Sequence, residues 1–217
     1  MPNVRIDEDT RAGDLAPFLA TWSLDGAARL DGKAIAALLR EACAQIADGP
    51  PDGPADAAVE TYKTALTRLG RNPNRYRISS DALLRRARKD GVPHILPLVD
   101  LNNLLSLRSG LPIGCYDQAR IEGGIVFRQG REGEGMATLG KGEMDVARLP
   151  LLADDAGPFG SMVSDSVRCR VTEATAAPFF VMYGYGEADE AALAALITDA
   201  VARAGGVLDA PPRLIRL

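Results

Sequence analysis

The stretch PLVDLNNLLSLRSGLPIGCYD, residues 97–117, is where the chain changes character. Its first part places Leu101, Leu104 and Leu105 on one stripe of a helix from about Val99 to Ser109, which Gly110 and Pro112 bring to a stop. Beyond Gly114, short β-branched or apolar runs separated by glycines take over. Ile125–Arg128, Met136–Leu139, Leu149–Ala153, Arg168–Thr172 and Phe179–Tyr183 read as strands, with Gly130 to Gly135 and Gly140 to Gly142 as hairpin-like connections. Upstream, Ile35, Leu38, Leu39, Ala42 and Ile46 predict a helix over Lys33–Ala47, stopped by Pro50, Pro51, Gly53 and Pro54. A second helix spans about Ala55–Leu69, with Gly70 after its end. A third takes Ser79 or Ser80 as its N-cap and ends at Gly91. A closing helix covers Glu187–Ala204, and Arg213–Leu217 is either an added edge strand or a loose tail. Helices, then strands, then a helix make the class α+β, without alternating βαβ units.

At 217 residues, 47% hydrophobic and 25% charged, the chain is long and apolar enough to bury a core without metals or disulfides. No run of about 18 apolar residues is present and the first residues are acidic, so neither a membrane span nor a signal peptide is expected. Cys43, Cys115 and Cys169 are odd in number and far apart, which fits a reducing cytoplasm and leaves no metal knuckle. No metal and no cofactor are expected. The net charge is −4, but Thr61–Asp90 holds nine basic residues against Asp81 and Asp90, so this segment is +7 and the rest −11. That is either a phosphate-facing surface or a solvated arginine-rich face.

Phosphate loops, nucleophile elbows, zinc helices and strand-linked dinucleotide fingerprints are all missing from the sequence. With one histidine, a Ser-His-Asp hydrolase has little to be built from. His94, beside Pro93, reads as a packed or surface imidazole, since no second titrating group is placed next to it. The polar residues in apolar surroundings are Asp100, Asn102 and Asn103. Asp100 and Asn103 share a helix face, where they either orient a bound polar group or water, or cap and tie down neighbouring backbone.

Six motifs in order, Gly70-x-Asn-Pro-x-Arg-Tyr-Arg77, Pro97-Leu-Val-Asp-Leu-Asn-Asn103, Gly110-Leu-Pro-Ile-Gly-Cys-Tyr-Asp117, Ile121-Glu-Gly-Gly124, Arg131-Glu-Gly-Glu134 and Ala153-Asp-Asp-Ala-Gly157, resemble the B3/B4 domain of the phenylalanyl-tRNA synthetase beta subunit. The resemblance covers roughly Tyr62 to Ala204 and implies a layered PheT/TilS-like domain with a central, mostly antiparallel β-structure. The implied division is a helical extension over 1–55 packed on the main domain, a B3/B4-like domain over 56–206 and a tail over 207–217. In the synthetase this domain edits tRNA by hydrolysing a wrongly attached amino acid. The present chain looks like a free-standing version, with aminoacylated tRNA and its amino-acid moiety as partners and no membrane; its oligomeric state stays open. A non-catalytic module that binds tRNA or an amino acid is the alternative.

The resemblance implies a cleft near Asn102, Asn103, Gly114 and Tyr116. Asn102, Asn103 and backbone N–H groups around Gly114 are then the catalytic candidates, the asparagines orienting amino acid or water and the N–H groups meeting the carbonyl. Asp100, Tyr116, Asp165, Ser166 and Arg168 are the substrate-binding candidates, and Arg71, Arg75 and Arg77 face tRNA phosphate. Gly114 stands where the synthetase has a histidine, a departure that fits a different amino-acid substrate and leaves room for a ligand at the glycine.

Overall fold

The computed structural model describes residues 1–50, 53–140 and 142–217, so Pro51 among the expected helix stops, and Lys141 in the Gly140 to Gly142 turn, lie outside the described residues. In chain order the elements are β1 (Val4–Ile6), β2 (Pro17–Ser23), α1 (Gly32–Asp48), α2 (Pro54–Arg68), α3 (Ser79–Lys89) and α4 (Pro97–Ser109). They continue with β3 (Ile113–Asp117), β4 (Ile125–Gln129), β5 (Gly135–Thr138), β6 (Gly142–Asp145), β7 (Pro150–Asp154), β8 (Gly157–Ser161), β9 (Pro178–Tyr185), α5 (Glu190–Arg203) and β10 (Arg213–Arg216). The class is α+β. The strands form two four-stranded sheets, β1-β4-β7-β8 and β10-β2-β9-β3, with β5-β6 as a separate hairpin. Only the β1–β4 pair is parallel among the described strand pairs.

Helix α4 organises the helical side. Leu98, Leu101, Leu104, Leu105 and Leu107 are all buried, because α4 packs against α1, α2, α3, α5 and β3. The two sheets meet through aromatic rings: Tyr116 on β3 lies edge-on to Phe159 on β8 at 5.0 Å, and Phe127 on β4 lies 5.8 Å from Tyr183 on β9. Alternation along β3 sends Gly114 and Tyr116 toward the other sheet and Ile113 and Cys115 toward α4.

The structure corrects three expectations and decides a fourth. Residues 1–55 are not simply a helical extension: β2 is buried at every position and sits between β10 and β9, with Trp22 stacked on Phe180 at 5.1 Å. A strand covered on both faces carries no polar alternation, so nothing in PFLATWS announces it. Helix α3 is not capped by Ser79 or Ser80. Ile78 holds the cap position in extended backbone, the Ser79 N–H donates to Met162 O, and Ser80 is wholly buried. Residues 168–172 do not form a strand: they touch β3 only around the Tyr116–Arg170 bridge, and Arg168 turns away to bond Asp154. Arg213–Arg216 is an edge strand paired with β2.

Gly110 ends α4 with φ of +72°, and a Cβ there would lie 2.4 Å from the Cα and carbonyl oxygen of Ala55, at the start of α2. Gly91, after α3, has φ of +74° but open space around it. Gly91→Ala should therefore cost about 1 kcal/mol, for backbone strain alone, and Gly110→Ala clearly more, because backbone must also move. Chemical denaturation of both variants checks the difference.

Candidate functional site

Two helices and a strand edge enclose a cleft of about 520 Å3. From α3 come Ser79, Ala82, Leu83 and Arg86, and from α4 Val99, Asn102, Asn103 and Ser106. Both sets follow the i, i+3, i+4, i+7 spacing of one helical face. Ile113 and Cys115 of β3 form the floor, Ile95, Leu96 and Leu139 one margin, and Val163, Ser164, Asp165, Arg170 and Val171 the remaining wall. The interior is aliphatic with a few polar groups, while Arg86 and Arg170 are exposed at its rim.

Asn102 and Asn103 both line this cleft. The Asn102 amide Nδ2 donates to Ile113 O at 3.1 Å, which settles the orientation of the carboxamide, and Oδ1 is left buried with no partner among the described residues. Asp100 is not in the cleft. It is fully buried on another side of α4, where Oδ1 accepts the Ile95 N–H at 3.0 Å and Oδ2 contacts His94 Nδ1. It ties the approach segment to the helix, so Asp100 and Asn103 are not brought together. His94, expected to stand apart from other titrating groups, has Asp100 beside it.

Gly114 is not among the residues that line the cleft. Pro112 O accepts from Tyr183 N–H, so the alternation of the antiparallel ladder makes Gly114 and Val181 the next pair to exchange bonds across β3 and β9. A Cβ on Gly114 would fall 1.9 Å from the Tyr116 hydroxyl, and one on Gly160 would fall 2.0 Å from the same atom. The phenol thus fills the room beside both glycines. Tyr116 is fully buried and does not line the cleft; its hydroxyl donates to Asp165 Oδ1 at 2.7 Å and lies 2.6 Å from the Tyr183 hydroxyl.

Asp165 lines the cleft, half-buried, and loss of surrounding water pushes its pKa up to about 7, against the pull of the Tyr116 hydroxyl and the Ser161 backbone toward the charged form. Burial likewise raises the Cys115 thiol. Ser166 and Arg168 lie elsewhere. Ser166 Oγ accepts from Cys169 N–H, and Arg168 makes a two-pronged pair with Asp154 at 2.7 and 2.9 Å and donates to Arg120 O. Arg71 is half-buried against the Tyr76 ring and Asp145. Arg75 and Arg77 are exposed, Arg77 within 3.5 Å of Asp81. Sequence reasoning missed Arg86 and Arg170. The helical spacing from Ser79 marks the first, whereas the irregular segment around Arg170 carries no periodic signal.

Two measurements test these placements. Gly114→Ala should lower stability by roughly 1–3 kcal/mol through overpacking, and adding Tyr116→Leu should recover part of the loss, a non-additivity visible in a double-mutant cycle. A proton binds Asp165 in the folded state up to about pH 7 but leaves an unfolded aspartate near its ordinary 3.8. Its contribution to stability therefore falls as pH rises through that window, and Asp165→Asn should flatten this part of the stability curve.

Among the described residues no helix is long and apolar enough to cross a membrane. Residues 61–206 match the B3/4 domain family. The phenylalanine–tRNA ligase beta subunit of Chromobacterium violaceum is 37% identical over 76 residues, which is 35% of this chain and 10% of that protein. The same subunit of Vibrio parahaemolyticus is 33% identical over 113 residues, 49% of this chain and 14% of that protein. That of Leifsonia xyli is 29% identical over 150 residues, 64% of this chain and 18% of that protein. The chain thus spans less than a fifth of the length of these relatives. A crystal structure of an N-terminal fragment of the phenylalanyl-tRNA synthetase beta subunit from Pyrococcus horikoshii aligns with 94% of this chain and 49% of its own, at 18% identity and a TM-score of 0.46. With two thirds of its length matched, the chain belongs to the B3/4 domain family.

Proposed function

We propose that this protein hydrolyses aminoacyl esters on transfer RNA, acting in trans in the cytoplasm to remove a wrongly attached amino acid. The observation that carries the reading is a cleft with aliphatic walls and an arginine rim, lined by Asn102, Asn103 and the carboxylate of Asp165. The volume lies within the roughly 300–1,000 Å3 typical of small-ligand sites.

In this reading Leu83, Val99 and Val163 receive the amino-acid side chain, and Asn102 and Asn103 on the α4 face of the cleft orient the amino acid and its ester. Arg86 and Arg170 hold the phosphate nearest the ester, with Arg75 and Arg77 meeting phosphates further along the RNA. No protein nucleophile is required, because the ester is activated and only a positioned water and a stabilised oxyanion are needed. The family relationship to phenylalanine–tRNA ligase beta subunits supports a tRNA partner.

The test is deacylation over a panel of mischarged tRNAs at substoichiometric protein. Turnover of at least one of them is the expected result; protection of the ester, or no release from any member, would instead make the protein a binding module. Charge reversal at Arg86 or Arg170 should weaken tRNA binding and reduce the slope of log affinity against log salt by about 0.7–0.9 for each phosphate that is no longer neutralised. An unchanged slope would leave both arginines as solvated surface.

A further inference from the structure

We propose that Asp165 is the proton acceptor of the cleft, aimed by a chain of two buried phenols, Tyr183 and Tyr116, that reaches it from between the sheets. This rests on the hydrolase reading. The geometry is closed at each link. Tyr116 and Tyr183 are fully buried, their hydroxyl oxygens are 2.6 Å apart, and Tyr116 donates to Asp165 Oδ1 at 2.7 Å. A phenol has one hydrogen to give. With that of Tyr116 given to the carboxylate, Tyr183 must donate to the Tyr116 oxygen, so both dipoles point at Asp165 and reinforce each other. Gly114 and Gly160 flank the Tyr116 hydroxyl so closely that a side chain on either would displace it. The ring has no freedom to swing, and Oδ1 is held while the carboxyl group lines the cleft.

Asp165 is the one carboxylate among the described cleft residues; it acts electrostatically on Cys115 of β3 and shares the lining with Asn102 and Asn103 of α4 and with the rim cations Arg86 and Arg170. A base in this setting works best when its pKa is near the working pH, and burial has brought Asp165 to about 7. The step balances without a further reactant. The carboxylate takes a proton from water as the water oxygen bonds to the ester carbonyl carbon. The carbon–oxygen bond to the ribose then breaks, and the departing ribose oxygen takes that proton back from Asp165. The products are the free amino acid and the ribose hydroxyl. Asp165 is the catalytic residue here; Tyr116 and Tyr183 are positioning residues.

The experiment is the pH profile of kcat/KM for deacylation, using the tRNA that the panel identifies, for the wild type, Asp165→Asn, Tyr116→Phe and Tyr183→Phe. A substrate-free 13C titration of the Asp165 carboxyl accompanies each protein that retains it, and a thermal melt accompanies all four. Activity of the wild type should rise with pH through about 7, and Asp165→Asn should lose about 100-fold or more. Tyr116→Phe removes a donor to the charged carboxylate, so both the kinetic midpoint and the 13C midpoint should move up by about one to two pH units. Tyr183→Phe should move them the same way by less. Midpoints that stay put while the melting temperature falls would make the phenols structural and overturn the proposal, as would Asp165→Asn activity within about tenfold of wild type. A wild type that clears no ester overturns the hydrolase reading and the base role together, whereas ester clearance that ignores Asp165 overturns the base role alone.

Discussion

Two sheets can approach through a bulky phenol only where the backbone on both sides carries no Cβ. Gly114 on β3 and Gly160 on β8 supply those positions, and the Tyr116 ring lies between them. Much follows from this one fit. The ring sets the separation of the sheets beside Phe159, its hydroxyl ends the buried polar chain from Tyr183, and the carboxylate that receives it belongs to the segment directly after β8. Shifting β3 by one residue would send Tyr116 into the cleft and Cys115 into the sheet interface, so the register of the β3–β9 ladder and the chemistry of the cleft are one constraint.

Helix α4 does two jobs with one sequence. Its leucines fill the core while Val99, Asn102, Asn103 and Ser106 face the cleft. This part of the molecule was legible in advance, because a helical stripe and its glycine stop are local properties of the chain. The asparagines were legible as well, through their place in an ordered set of motifs. What stayed hidden depends on contacts between distant residues. PFLATWS has no alternation because both its faces are covered. Gly114 looked like space for a ligand, since a glycine does not announce which side chain will press against it, and here the side chain comes from two residues further along the same strand. Asp100 shares a nominal face with Asn103, yet its carboxylate is taken by Ile95 and His94.

The basic run from Thr61 to Asp90 shows a similar difference between counting charges and placing them. Arg88 pairs with Asp56 at 2.6 Å, Arg71 is laid over Tyr76, and Arg77 and Arg85 share Asp81. Much of the formal excess is thus engaged within the protein, and Arg88–Asp56 ties α3 to α2. Arg86, one residue from Arg85 but turned toward the cleft, is joined there by Arg170, far along the chain and outside the basic run.

The place of β2 has a consequence for how the chain reaches this structure. Residues 17–23 are paired on one side with 178–185 and on the other with 213–216, so the first long strand finds neither neighbour until most of the chain is available. Loop closure over such separations slows folding and leaves apolar segments exposed while it proceeds. The family match begins only at residue 61. A fragment trimmed to that match would strip β2 from β9 and α1 from α4, leaving β9, buried at every position in the intact chain, as a bare edge of the kind that recruits other strands into aggregates.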